Sequence, residues 1–243
     1  MIATVLLVLA GAFAGGFVSG LAGFGTGLVA LGIWLHAVDP QTAAALAIAC
    51  SVVSQLQTIR IIWHAIEPSR VLPFIVPGLV GVPLGTRLLA HASPGGFRLS
   101  IGILLIGYSA FMLLGQFRSK VSWGGRQADA VVGLLGGILG GLAGLSGALP
   151  TVWATLRGWG KDERRSVFQA FNLSMLGAAL LMHAAFGLLT VEFVKLFAVA
   201  LPGTLTGAWL GARAYGRLTD AHFHELVLWL LAVSGVALVW AAR

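Results

Sequence analysis

The sequence predicts an all-α polytopic membrane protein built from two repeated halves, and three observations carry that expectation. Of 243 residues, 58% are apolar and only 9% are charged, against about 25% charged in ordinary soluble domains. The charges leave eight long windows free of Asp, Glu, Lys and Arg. The chain also matches itself at a fixed offset, which is the mark of an internal duplication. This composition excludes a soluble enzyme or a nucleic-acid-binding domain. The net charge of +7 comes from cations scattered singly between apolar runs, not from the clustered patch that a phosphate backbone requires.

The windows are 1–38, 40–59, 71–86, 99–117, 130–156, 166–191, 196–212 and 226–242. Each approaches or exceeds the roughly 20 residues that a helix needs to cross about 30 Å of hydrocarbon. The shorter ones become full spans when Arg60, Arg87, Arg213 and Arg243 snorkel toward the headgroups. About eight transmembrane segments therefore fill the chain, and no room is left for a soluble domain. Ile103 to Leu114 is apolar at odd and even positions alike, so the spans are helices and not barrel strands. Trp34, Trp63, Trp123, Trp159, Trp229 and Trp240 fall near span ends, where indoles favour the interface, while Trp153 and Trp209 fall further inside. The first window has an apolar core but no basic leader region, so it reads as a retained helix and not a cleaved signal. Cys50, the single cysteine, reads as a small packing residue.

The repeat sets the organisation. At an offset of 121, Gly16 pairs with Gly137, Gly20-Leu21-Ala22-Gly23 with Gly141-Leu142-Ala143-Gly144, and Ala49 with Ala170. Near an offset of 126, GVPLGTR (Gly81 to Arg87) meets GAWLGAR (Gly207 to Arg213). The first repeat is 1–120, the linker 121–126 lies within the polar stretch Gln116 to Asp129, and the second repeat is 127–243. If each long window (1–38, 130–156) is one span, the cations divide almost evenly between the faces and orient nothing. If those windows fold back at their Gly-rich centres, the halves have odd parity. Arg60, Arg70, Arg118, Lys120, Arg126, Arg157, Lys161, Arg164, Arg165, Arg213 and Arg217 then share one face, and only Arg87, Arg98, Lys195 and Arg243 the other. That asymmetry is what the positive-inside rule expects, so inverted repeats with both termini outside are favoured.

GLAGFGTG (Gly20 to Gly27) and GLAGLSGALP (Gly141 to Pro150) are the stretches that point to chemistry. A run of glycines in the middle of an overlong apolar window lets a helix break and exposes backbone N–H groups, which must then meet protein, water or a ligand. Two such breaks facing each other would form an anion site without a buried Lys, because helix N-termini carry free donors and partial positive charge. Small-xxx-small packing of Gly16/Gly20 and Gly137/Gly141 is the simpler alternative for these glycines. The expected donors are Gly23, Gly25, Gly27, Gly144 and Gly147. On the next helix of each half, Ser51, Ser54 and Gln55 share a face, as do Gln169 and Asn172, and Ser51 is the repeat partner of Asn172. Ser51, Ser146, Gln169 and Asn172 are the side chains expected to complete the cage; interhelical hydrogen bonding is the competing use. Arg87 and Arg213, also repeat-equivalent, are candidates for gating or steering.

Three other readings bear on the same residues. GLSG (Gly144 to Gly147) fits the short G-x-S-G pattern of rhomboid proteases, with Ser146 as nucleophile and His183 as its partner. Against this, Ser146 aligns with Gly25 inside a duplicated segment. A passive anion channel and a non-transporting scaffold are the remaining alternatives. No HExxH, CxxC or Walker A pattern is present, so neither metal, cofactor nor nucleotide is expected.

Two halves that each open with a small-residue helix into GLAG, continue with an interior polar helix, and run from a Pro-Gly step into GxxLGxR (Pro77 to Arg87, Pro202 to Arg213) resemble the sulfite exporter TauE/SafE family, also called the 4-toluene sulfonate uptake permease family. The resemblance covers nearly the whole chain. It implies a secondary transporter of sulfite, sulfoacetate or related sulfonates, in the inner (plasma) membrane, with a small sulfur-containing anion and the lipid bilayer as partners. Whether the chain forms a homodimer is left open, because every apolar outer face reads alike. In the second half Ser146 and Ala148 replace Gly25 and Gly27, so the two breaks need not touch substrate equally.

Overall fold

In the computed structural model, residues 2–59, 66–115, 121–214 and 220–242 are described, and they form ten helices. The eight charge-free windows become ten helices because the two longest break. α1 (Ile2–Ala22) and α2 (Thr26–Trp34) share the first window; α3 (Pro40–Thr58), α4 (Pro68–His91) and α5 (Pro94–Gly115) complete the first half. α6 (Gly125–Ala143) and α7 (Ala148–Arg157) share the fifth window, followed by α8 (Lys161–Ala185), α9 (Val191–Ala214) and α10 (Asp220–Ala241). Among the described residues five helices are long and apolar enough to cross a membrane: Ile2–Ala22, Pro68–His91, Pro94–Leu114, Ser166–Ala185 and Val191–Ala214. The protein is thus a helical, multi-pass membrane protein. Trp63 and Arg60 lie outside the described residues, as do Arg118, Lys120, Arg217 and Arg243.

Both long windows fold back on themselves. Gly23 at φ 82° and Gly144 at φ 70° adopt the left-handed conformation just past the ends of α1 and α6, and Gly25 at φ 105° starts α2 in the same region; a side chain there would cost roughly 1–2 kcal/mol. α2 returns along α1, with Thr26 and Ala30 against Gly15 and Trp34 against Gly11. The Trp34 indole N–H donates to the Val8 carbonyl at 3.0 Å. α7 returns along α6 in the same manner, and the Trp153 indole N–H donates to Asp129 Oδ1 at 2.7 Å. The assignment of Trp34 to an interfacial belt is therefore corrected: its ring is fully buried, because a buried indole that finds an acceptor packs a hairpin better than it serves as an anchor. Trp123, Trp229 and Trp240 are exposed, and so is Trp209.

Small residues bring the helices together across the halves. α1 packs on α9 and α4 on α6. Gly16 lies where a Cβ would stand 2.6 Å from the Thr204 carbonyl oxygen, and Gly20 abuts Ala208. Gly137 and Gly141 meet Gly78 and Val82 in the same way. The glycines shared by GVPLGTR and GAWLGAR have the same use: Gly81 and Gly85 face Leu134 and Ile138, while Gly207 and Gly211 face Phe13 and Phe17. In both pairs residue numbers rise together, so the partners run parallel. α5 and α10 run antiparallel, with Gly95 near Ala242 and Gly102 near Gly235. α4 stays helical through Pro73, Pro77 and Pro83, as membrane helices do when neighbours cover the freed carbonyls.

α3 lies at the centre of the bundle, packed by α1, α2, α8 and α9. Asp39 caps it, accepting from the Gln41 and Thr42 amides, and Pro40 starts its first turn. Its run Ala43 to Cys50 is buried at every position, because alanines let four neighbouring helices approach closely. Burial on all sides carries the polar residues at its C-terminal end, Ser51, Ser54 and Gln55, into the interior.

Candidate functional site

The two breaks meet. A Cβ on Gly27 would stand 2.9 Å from the Gly144 carbonyl oxygen, so the turn of one hairpin touches the turn of the other. The pocket they enclose is lined by Phe24, Gly25, Thr26, Leu28, Ser51, Gln55, Gly144, Leu145, Ser146, Gly147, Ala148, Asn172 and Leu176. Little more than one water-sized group fits between its walls. Most of the lining is related by the offset of 121: Phe24 with Leu145, Gly25 with Ser146, Thr26 with Gly147, Ser51 with Asn172 and Gln55 with Leu176.

Both short helices start at this pocket, and neither start has a side-chain cap. The first turn of a helix lacks helical acceptors for its N–H groups, and the aligned peptide dipoles place partial positive charge there. At α7 the Ala148 N–H donates to the Leu145 carbonyl at 3.2 Å and Pro150 has none, so that start offers fewer free donors than the start of α2. The polar walls come from α3 and α8. Ser146 Oγ donates to Asn172 Oδ1 at 2.8 Å, and the Asn172 amide lies against Gly147, where a Cβ would stand 2.9 Å from Nδ2 and 3.1 Å from Oδ1. Gln55 Nε2 donates to the Gly23 carbonyl at 2.7 Å. Thr26 Oγ1 and Gln55 Oε1 are buried and have no hydrogen-bond partner. No charged side chain lines the pocket among the described residues, and no group of three or more His, Cys, Asp or Glu gathers there as metal ligands.

Of the nine binding residues expected from sequence, Gly25, Ser51, Gly144, Ser146, Gly147 and Asn172 line the pocket. Gly23, Gly27 and Gln169 do not. Gly23 accepts from Gln55, Gly27 lets the hairpins touch, and Gln169 donates to Thr58 Oγ1 at 2.9 Å, tying α8 to α3. Arg87 and Arg213 are exposed and away from the lining; the Arg213 guanidinium stacks 3.7 Å from the Trp209 ring centroid. Sequence reasoning left Thr26, Gln55 and the apolar wall of Phe24, Leu28, Leu145, Ala148 and Leu176 out of the site. Gln55 could have been found from its spacing of four from Ser51 on one helix face, and Thr26 from its place inside GLAGFGTG. The protease reading finds no dyad: Ser146 is bonded to Asn172, whereas His183 Nε2 meets the Gly141 carbonyl at 2.8 Å.

Fold and site together define a class: a multi-pass helical membrane protein with an uncharged polar pocket where two broken helices meet. The chain matches the family described as Sulfite exporter TauE/SafE over residues 7–238. It belongs to that family of membrane transporters. The chain matches no curated protein and no solved structure.

Proposed function

We propose that the protein is a secondary carrier of small oxyanions, sulfite or organosulfonates, working by alternating access at the pocket between its two halves. The observation that carries this reading is the convergence of two uncapped helix N-termini on one pocket walled by hydroxyls and amides. Such a site holds an anion with backbone and neutral donors and can still release it, because no buried cation has to be neutralised. The pocket has room for about one water-sized group as it stands, so the hairpins part to admit the substrate, and Gly25, Gly144, Ser146, Gly147 and Asn172 then contact it, with Ser51 opposite. Gly23, Gly27 and Gln169 hold the hairpins and polar helices in place.

An inverted relation between residues 1–120 and 127–243 supports alternating access. The corresponding helices α5 and α10 are antiparallel, and each opening helix runs parallel to the fourth helix of the other half. Each hairpin returns to the side it entered, which gives each half an odd number of crossings. The cation-rich loops then lie on the cytoplasmic face of the inner membrane, with both termini outside. Arg87 and Arg213, exposed near the ends of equivalent helices, draw anions toward opposite entrances.

Counterflow of labelled sulfite in proteoliposomes tests the reading. Saturable exchange, accelerated by unlabelled sulfite or a sulfonate inside, is the expected result. Flux that never saturates and shows no counterflow establishes a passive channel instead, and no flux of any anion removes the transport reading for this pocket.

A further inference from the structure

Gln55 carries an inference about the form in which the substrate is held, and it rests on the carrier reading above. Its side chain is 1% exposed and lines the pocket. The amide nitrogen is committed to the Gly23 carbonyl at 2.7 Å. Turning the amide over would set two acceptors against each other, so its orientation is determined and Oε1 faces away from Gly23. That oxygen has no partner. A buried acceptor left unpaired is costly, and a fully ionised oxyanion, which can only accept, leaves it unpaired. It is the group needed for a substrate that also donates.

Two further features point the same way. No charged side chain lines the pocket among the described residues, so a second negative charge on the ligand would be desolvated without a counter-ion, whereas one charge is matched by helix termini and neutral donors. The acceptor is also one-sided. The repeat partner of Gln55 is Leu176, so the acceptor has no counterpart at the equivalent position of the other half.

We propose that the pocket takes its oxyanion as the singly charged, hydroxyl-bearing form, whose O–H donates to Gln55 Oε1 while its other oxygens accept from Thr26 Oγ1, the Asn172 amide and the helix N-termini. For sulfite this is hydrogensulfite. Fully ionised sulfite and sulfate are excluded by charge and by the lack of a donor. A sulfonate monoanion satisfies the donors but leaves Gln55 unpaired.

The test uses the unaltered full chain in proteoliposomes, with counterflow of labelled sulfite measured over a pH series that spans the ionisation of hydrogensulfite. Methanesulfonate, which does not titrate in that range, and sulfate serve as competitors. The KM in total sulfite is expected to rise about tenfold per pH unit above that ionisation, while inhibition by methanesulfonate stays level and sulfate does not inhibit. A sulfite KM that ignores pH, or sulfate competing as well as sulfite, overturns the proposal and leaves the carrier reading intact. Sulfite and methanesulfonate moving together with pH also overturns it, because the protein and not the substrate is then titrating. His183, the ionisable residue in the apolar span Ser166–Ala185 of the neighbouring α8, is bonded to Gly141 and does not line the pocket. Absence of exchange for every anion overturns both readings. Gln55→Leu is expected to narrow the preference for hydrogensulfite over methanesulfonate by about tenfold; the pH series decides the matter if that variant does not fold.

Discussion

The two hairpins are the same device built with different parts. In the first, the turn is glycine at Gly23 and Gly25, both left-handed, and the polar support is a glutamine on α3 that reaches a backbone carbonyl. In the second, the serine at the position equivalent to Gly25 bonds an asparagine on α8, and the left-handed bend is at Gly144. The first break thus offers bare backbone and an acceptor, and the second offers side-chain donors oriented by one another. The difference teaches that one left-handed glycine, Gly23 or Gly144, is common to both bends, while the second such residue, Gly25, and the hydrogen-bonding duties are not. A ligand between them meets two unlike walls.

The largest effect should come from separating the hairpins. Gly27→Leu puts a branched side chain where even a Cβ would be 2.9 Å from the Gly144 carbonyl oxygen. Sulfite counterflow should fall to background in protein that still inserts and runs as a single species in detergent. Transport at the parental rate would mean that contact between the breaks is unimportant.

Next comes the second wall by itself. Asn172→Leu removes the acceptor for Ser146 and an amide donor at the pocket, and loss of buried hydrogen bonds of this kind costs about 1–3 kcal/mol. The rate at low sulfite should fall by more than about tenfold, and Ser146→Ala should fall less, because it removes only the orienting bond. Equal losses, or no loss in Asn172→Leu, would show that the two walls are not unlike in the way described.

The smallest effects should appear in the pins that hold each hairpin against its own helix. Trp153→Phe leaves the buried Asp129 carboxylate without its donor, while Trp34→Phe frees only the Val8 carbonyl. A bond to a charged group is worth about 1.5–3 kcal/mol and a neutral one about 0.5–1.5 kcal/mol. Thermal unfolding in detergent should therefore show the Trp153 variant to be the less stable of the two. The reverse order would mean that the first hairpin depends more on its pin.

Much of this was legible before any coordinates. The first charge-free window, nearly twice what one span needs, pointed to the break between α1 and α2, and its repeat in GLAGLSGALP, not window length, pointed to the break between α6 and α7. The offset of 121 pairs Gly25 with Ser146 and Ser51 with Asn172, and all four of these residues line the pocket. What escaped was the division of labour among neighbouring polar groups. Gln55 and Gln169 look alike in sequence, yet Gln55 lines the pocket and Gln169 binds Thr58. Gly23 and Gly27 look like Gly25, yet one accepts a hydrogen bond and the other makes room for the Gly144 turn of the second hairpin.

The sequence by itself determined the membrane setting, the helical class and the location of the two breaks, because each depends on local quantities: charge spacing, apolar run length and the backbone freedom of glycine. Only the tertiary structure decided that α1 packs on α9 and α4 on α6, that Trp34 is buried, and that the two turns close on a single pocket. Those outcomes depend on which small-residue faces find each other across the halves. That is a matter of close packing between segments far apart in the chain, and no local pattern encodes it.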